Sequence, residues 1–301
     1  MGMRASFIPA TVERLVESTS IALARNIEAK AIATPLSPNP IQTTFVRQGN
    51  GGTPILLLHG FDSSVLEFRR LLPLLAAENE TVTVDLLGFG FTDRQVQPAF
   101  DPNAIKTHLY SFWKQAIARP VTLVGASMGG AVAIDFALTY PEAIEQLVLL
   151  DSAGFGQGPI IGKFLFPPLD YLAAEFLRRP RVRRGISRAA YYNKSLNSED
   201  AQLCAALHLE MPGWHRALIA FTKSGGYGSF RDRLGQISQP TLVVWGANDE
   251  ILGTKDAETF AAAIPNSKLV WIADCGHVPH LEKPQDTARE ILTFGDRSDD
   301  P

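Results

Sequence analysis

Six short apolar runs recur along the chain: Ile55 to Leu58, Val82 to Val84, Val121 to Val124, Leu147 to Leu150, Leu242 to Trp245 and Leu269 to Ile272. Each is followed closely by a glycine or an aspartate. A strand with one solvated face alternates apolar and polar residues, whereas a run that is apolar throughout must be buried on both faces. Between the runs, Glu67 to Ala77, Ala104 to Ala118, Ala131 to Thr139 and Thr254 to Ala263 carry helical spacing. Strand and helix therefore alternate as βα units, which predicts an α/β fold with a mostly parallel central sheet flanked by helices.

The alternation stops after Asp151 and resumes near Pro240, so the sequence predicts an inserted helical cap over 154–235 within a core made of 41–153 and 236–301. The cap contains an apolar part (Ile160, Ile161, Phe164, Leu165, Phe166, Leu169, Tyr171, Leu172, Phe176) followed by Arg178, Arg179, Arg181, Arg183, Arg184 and Arg188. Apolar surface beside a cationic cluster fits either a solvated arginine face over a packed helix or peripheral contact with an anionic membrane. Ahead of the core, Thr11 to Lys30 sets Val12, Leu15, Val16, Thr19, Leu23 and Ile27 at three- and four-residue spacing. We read residues 1–40 as this amphipathic helix, suited to packing on the core or to membrane contact, and a proline-rich connector from Thr34 to Pro40.

Composition narrows the function classes. With 46% hydrophobic and 20% charged residues and a net charge of -3 over 301 residues, the chain reads as a globular enzyme with no nucleic-acid partner. Cys204 and Cys275 are too few for a disulfide framework and lack zinc-ligand spacing, so neither a metal site nor an oxidising compartment is expected. No run is long and apolar enough to span a bilayer, and no signal-peptide pattern opens the sequence. An intracellular protein, soluble or peripherally membrane-associated and not secreted, is the expectation.

The run Val121 to Val124 leads directly into Gly125-Ala-Ser127-Met-Gly129-Gly130, a G-x-S-x-G placed where a strand pattern gives way to a helix pattern. Such a sharp turn lifts the serine clear of the sheet and needs small neighbours on both sides. A serine hydroxyl is a poor nucleophile at neutral pH and requires a base, for which imidazole is suited. Of six histidines, His277 follows the last strand pattern in a loop able to reach Ser127; His280, three residues on, reads as a structural or capping group. The imidazole in turn needs a carboxylate at its other nitrogen. Asp249, after the run ending at Trp245, meets this need in the chain order Ser, Asp, His, and Asp151, after Leu150, is the competing position. A developing oxyanion would be met by the backbone N–H groups of Met128 and of Phe61, the latter in the loop His59-Gly-Phe-Asp62. His59 and the Asp85 to Asp93 loop read as scaffold.

On the HG-x at 59–61, the elbow at 125–129 and the acid and histidine loops, the chain resembles the α/β-hydrolase superfamily from residue 41 onward. At finer grain, His59-Gly-Phe-Asp-Ser-Ser64, Gly125-Ala-Ser-Met-Gly-Gly-Ala-Val-Ala-Ile-Asp135, Thr222-Lys-Ser-Gly-Gly-Tyr227 and Cys275-Gly-His-Val-Pro-His-Leu-Glu-Lys-Pro284 look like the chlorophyll dephytylase group of plants and cyanobacteria. That resemblance implies hydrolysis of the phytyl ester of chlorophyll to chlorophyllide and phytol, with no cofactor and at a photosynthetic (thylakoid) membrane. Two other readings stay open: a general carboxylesterase, lipase or C–C hydrolase on the same residues, and a small-molecule receptor built on a hydrolase fold.

Overall fold

In the computed structural model of the chain, which describes residues 7–94, 99–156 and 166–296, each of the six apolar runs is a strand. The strands are β1 (Glu28–Thr34), β2 (Ser37–Gln48), β3 (Ile55–Leu58), β4 (Thr81–Val84), β5 (Val121–Ala126), β6 (Ile144–Leu150), β7 (Thr241–Gly246) and β8 (Ser267–Ile272). They form one eight-stranded sheet in the order β1-β2-β4-β3-β5-β6-β7-β8, parallel from β4 to β8 and antiparallel where β2 joins β1 and β4. The helices are α1 (Ser18–Arg25), α2 (Leu72–Leu75), α3 (Pro102–Ala116), α4 (Met128–Thr139), α5 (Leu169–Arg178), α6 (Pro180–Ala190), α7 (Glu199–Cys204), α8 (Trp214–Ser224), α9 (Ala257–Ala262), α10 (Pro279–Glu282) and α11 (Pro284–Asp296).

Strand periodicity divides the core in two. Leu56 and Leu58 join the buried cluster of Val82, Phe112 and Leu123, while Ile55 and Leu57 join that of Phe68, Val124 and Val148 on the other face. Pairings of Leu58 with Gly125, Ala126 with Leu150, and Leu150 with Val244 bring the carboxyl ends of four neighbouring strands into line. Loops leaving that edge lie side by side, which is where an open parallel sheet presents a site.

α4 is buried almost all round, and its amino end presses on the sheet. A Cβ on Gly129 would lie 2.1 Å from the Leu58 carbonyl oxygen, and one on Gly125 would lie 2.3 Å from that of Gly129. Backbone is the obstacle in both cases, so no rotamer change relieves it. Gly129→Ala is therefore expected to cost about 3 kcal/mol or more of stability, read as a lowered urea midpoint with an unchanged slope.

Three expectations need correction. Thr11 to Lys30 is not one helix: a short 3₁₀ turn over Ala10–Arg14 is followed by α1, and Glu28–Thr34 is the edge strand β1. Thr34 to Pro40 is likewise no connector but the turn into β2, with Pro38 and Pro40 opposite the irregularity between Ile32 and Thr34, where a missing N–H breaks no ladder bond. The amino-terminal segment does pack on the core, through Leu15, Leu23 and Ile27, and the Asp200 carboxylate of α7 accepts from Val16 and Glu17 N–H and from the Ser20 hydroxyl. Glu67 to Ala77 is broken into a 3₁₀ turn at Val65–Phe68 and the single turn α2, because Pro73 fits only the first turn of a helix.

The interruption between β6 and β7 carries α5 to α8, held together by Ala174, Leu209, Trp214 and Leu218. Ile160, Ile161, Phe164 and Leu165 lie outside the described residues. Phe166, Leu169, Tyr171, Leu172 and Phe176 are exposed. Among the described residues, no helix is long and apolar enough to cross a membrane.

Candidate active site

Ser127 joins β5 to α4 at φ 51° and ψ -118°, a conformation that disfavours any residue with a Cβ and persists only where its surroundings enforce it. They do so here. Ser127 N–H donates to Leu150 O at 2.9 Å, and Ser127 O accepts from Gly130 N at 2.9 Å and Ala153 N at 3.0 Å. Gly130 leaves room for the next loop, since a Cβ there would stand 2.0 Å from Ser152 Oγ.

His277 and Asp249 arrive from the loops after β8 and β7. Those loops can meet because Gly246 has no side chain; a Cβ would lie 1.9 Å from Gly276 O. His277 Nδ1 donates to Asp249 Oδ2 at 2.9 Å, and its Nε2 accepts from Ser127 Oγ at 2.9 Å. The other carboxylate oxygen of Asp249 accepts from Ile251 N at 2.7 Å and Leu252 N at 3.1 Å. Burial pushes the Asp249 carboxyl up, but the His277 contact and these N–H donors outweigh it and hold the group below its ordinary value.

Asp151, the competing acid, stands close behind this pair. Its Oδ1 accepts from Gly246 N at 2.9 Å, while its buried Oδ2 meets no hydrogen-bond donor among the described residues. Burial and then the negative charge of Asp249 push the Asp151 carboxyl well above its ordinary value. Asp151, Asp249 and His277 place ligand-type atoms within 4.8 Å of one another, but both ring nitrogens of His277 are already engaged, by Asp249 and by Ser127. His280 sits in α10 with its ring against Phe68 and its Nε2 3.2 Å from Glu67.

The loop at 59–62 is fixed from several sides. His59 Nδ1 donates to Gly60 O at 2.8 Å and its Nε2 accepts from Leu86 N at 3.1 Å, with burial pushing the imidazole down to about 4 so that it stays neutral. Gly60 N–H is taken by the Glu67 carboxylate at 3.1 Å. Phe61 N–H and Met128 N–H donate to no acceptor among the described residues, and the loop reaches the serine, with the Cβ position of Gly60 3.4 Å from Ser127 Cβ. Asp85 braces the next loop, its carboxyl accepting from Val65 N and Phe91 N, both at 2.7 Å.

Two cavities meet at Ser127. One, of about 280 Å³, runs under the cap between His277 and Leu177, Ile186 and Tyr191. The other, of about 480 Å³, is walled by Met128, Phe155, Phe221, Tyr227 and Trp245. Phe61 and Ile251 line both, so they separate the two at the serine. Sequence reasoning passed over Ile251, whose N–H also orients Asp249, and Glu67, whose carboxylate holds the Gly60 N–H of the 59–62 loop. It also passed over Asp62, although a charged residue immediately after an apolar loop motif was visible.

Comparison with known proteins gives the family. Residues 55–290 match the sequence model of the alpha/beta hydrolase family. The chain belongs to that family. It is 33% identical over 298 residues to the alpha/beta hydrolase domain-containing protein VTE7 of Arabidopsis thaliana, covering 96% of this chain and 89% of that one. Lipase 3 of Moraxella sp. (strain TA144) is 26% identical, over 81% of this hydrolase and 78% of the lipase. Among solved structures, a thermophilic esterase from Thermogutta terrifontis superposes with a TM-score of 0.75 at 26% identity, over 90% of this chain and 98% of that one.

Proposed function

We propose that this hydrolase cleaves a large hydrophobic carboxylic ester through an acyl-enzyme on Ser127. The observation that carries the reading is the continuous 2.9 Å relay from Ser127 to His277 to Asp249 at the junction of two largely apolar cavities. His277 takes the serine proton as Oγ attacks the ester carbon, and the new oxyanion is received by the N–H groups of Phe61 and Met128. His277 then returns the proton to the leaving alcohol, and a water activated by the same ring releases the acid. Asp249 holds the ring in one tautomer and offsets the charge of the imidazolium. No step calls for a metal or an organic cofactor.

The phytyl ester of chlorophyll is the substrate this reading favours. It rests on the motifs shared with the dephytylase group and on the two-sided apolar site, which suits an ester with a bulky acid and a long alcohol. Leu169, Leu172 and Phe176 on α5 and Arg181, Arg184 and Arg188 on α6 are each exposed, apolar and cationic side chains of the kind that peripheral contact with anionic lipid uses.

The test is to incubate the purified protein and Ser127→Ala with detergent-solubilised chlorophyll and, separately, with simple aryl esters. Chlorophyllide appearing only with the unaltered protein is expected. Rapid aryl ester cleavage with chlorophyll and pheophytin untouched would leave a general esterase; cleavage of neither would favour a ligand receptor.

A further inference from the structure

We propose that helix α6 of the cap is a strut that positions both halves of the candidate active site, with Asp62 and Arg183 as its joint to the oxyanion loop. Asp62 follows Phe61, whose N–H faces the developing oxyanion in the function proposed above, on which this role in turnover rests. The residue lies at φ 49°, a left-handed conformation that aspartate tolerates better than most side chains. Its side chain is turned away from the sheet and into the cap.

The carboxylate meets donors from three cap elements. Arg183 of α6 bonds Oδ2 at 2.6 Å and the Asp62 carbonyl at 3.2 Å. His208 Nε2 donates to Oδ1 at 3.0 Å, and Trp214 Nε1 donates to the same oxygen at 2.8 Å. Arg183 also donates to Ala205 O at 2.6 Å, so one guanidinium ties α6, the turn after α7 and the oxyanion loop together. Burial pushes Asp62 up, yet His208, Arg183 and Trp214 outweigh it and hold the carboxyl well below its ordinary range. Asp62 is thus a buried anion whose charge is met almost wholly by the cap. Burial drives His208 the other way, below its ordinary value despite Asp62, so it serves as a neutral donor.

The far end of α6 contacts the base. His277 N–H donates to Ala190 O at 2.8 Å, and Gly276 permits the approach, since a Cβ there would lie 2.4 Å from that oxygen. Arg183 and Ala190 are separated by about 10 Å of helix at 1.5 Å per residue. Ile186 and Ser187, between them, line the cavity under the cap. A single rigid element therefore spans from the oxyanion loop to the histidine loop, with a cavity wall in the middle. A second link between the loops runs behind them through Glu67, which takes Gly60 N–H and stands 3.2 Å from His280 Nε2; α6 adds the one that passes over the cavity. Asp62 is a positioning residue here: it acts through the Phe61 N–H and touches no reacting atom.

The experiment compares Asp62→Asn, Arg183→Met and Arg183→Lys with the unaltered protein on 4-nitrophenyl butyrate, an ester too small to need the cap for binding. Asp62→Asn and Arg183→Met are expected to lower kcat by about 10- to 100-fold, with KM within about twofold, because a misplaced oxyanion donor costs up to about 10²- to 10³-fold. Affinity for benzeneboronic acid, whose serine adduct carries a tetrahedral oxyanion, should fall in parallel, and Arg183→Lys should recover part of both losses. Amide exchange of segments 59–63 and 275–278 in Arg183→Met needs no turnover and should accelerate. Unchanged exchange in both segments overturns the strut. Unchanged kcat and boronate affinity in folded Asp62→Asn and Arg183→Met overturns the coupling to the oxyanion loop. An unaltered protein that cleaves no ester counts instead against the proposed function, and the exchange result then decides the strut alone.

Discussion

Ser127→Ala is expected to lower kcat on an aryl ester by about 10⁶-fold, with KM changed little, because the relay fails as a unit once its nucleophile is gone. Alanine keeps the elbow: the bonds that enforce φ 51° at this position use the backbone N–H and carbonyl, not the hydroxyl. The variant should therefore fold with an unchanged circular dichroism spectrum and still present the N–H groups of Phe61 and Met128. What survives is the rate those donors and binding supply on their own, about 10³- to 10⁴-fold over water. His277→Ala should fall to a similar floor, and the double variant should fall no further, since neither residue acts without the other. Steady-state kinetics with active-site titration of the unaltered protein checks this. A residual kcat above about 1% in Ser127→Ala would remove the serine from the chemistry.

Much of this site was legible in the sequence, for a physical reason. A parallel sheet buried on both faces forces strands to be continuously apolar, so each strand end, and hence each loop on the carboxyl edge, can be placed by reading where the apolar run stops. Ser127, Asp151, Asp249 and His277 all follow such ends, and the structure brings all four together. The hairpin of β1 and β2 escaped because its signal is different. Of the seven residues in β1 only Ile32 and Thr34 are buried, and Glu28, Ala29, Lys30 and Ala31 favour helix by propensity. Edge strands decide their conformation by pairing, which a local reading cannot see. The prolines of β2 misled in the same way, since only the register against β1 shows that no ladder bond is lost.

The joint between Asp62 and the cap lies further beyond sequence reading. Asp62 and Arg183 are 121 positions apart, and Arg183 is one of six arginines in its stretch. Helical spacing alone does not separate the one that turns inward from those that face solvent. Its side chain is 17% exposed, whereas Arg181, Arg184 and Arg188 are on the surface. The distinction comes from the oxyanion loop offering a buried anion, and an unpaired buried charge is costly enough to select its partner.

The two aspartates behind His277 should respond in opposite ways to the same substitution. Asp249→Asn is expected to lower kcat by about 10⁴-fold, because an amide at that position favours the wrong imidazole tautomer and cannot offset the imidazolium charge. Asp151→Asn should leave kcat within a few-fold of the unaltered protein: Asp151 does not touch His277, its surroundings push its carboxyl toward the neutral form, and an amide can still accept from Gly246 N–H. Stability separates the pair as well. Asp249 has its native pKa below the unfolded value near 3.8, so it stabilises the fold above that pH and ceases to do so as pH falls through the native value. Asp151 has its native pKa well above 3.8, so the folded state holds a proton that the unfolded chain releases, and stability declines as pH rises from about 4 through the native value. At pH 7, Asp249→Asn should therefore lower the urea midpoint, and Asp151→Asn should raise it by an amount that shrinks toward pH 4. Kinetics and urea unfolding of both variants at pH 4, 5.5 and 7 test the assignment in one series. Full activity in Asp249→Asn with loss in Asp151→Asn would transfer the acid's role to the strand before the cap.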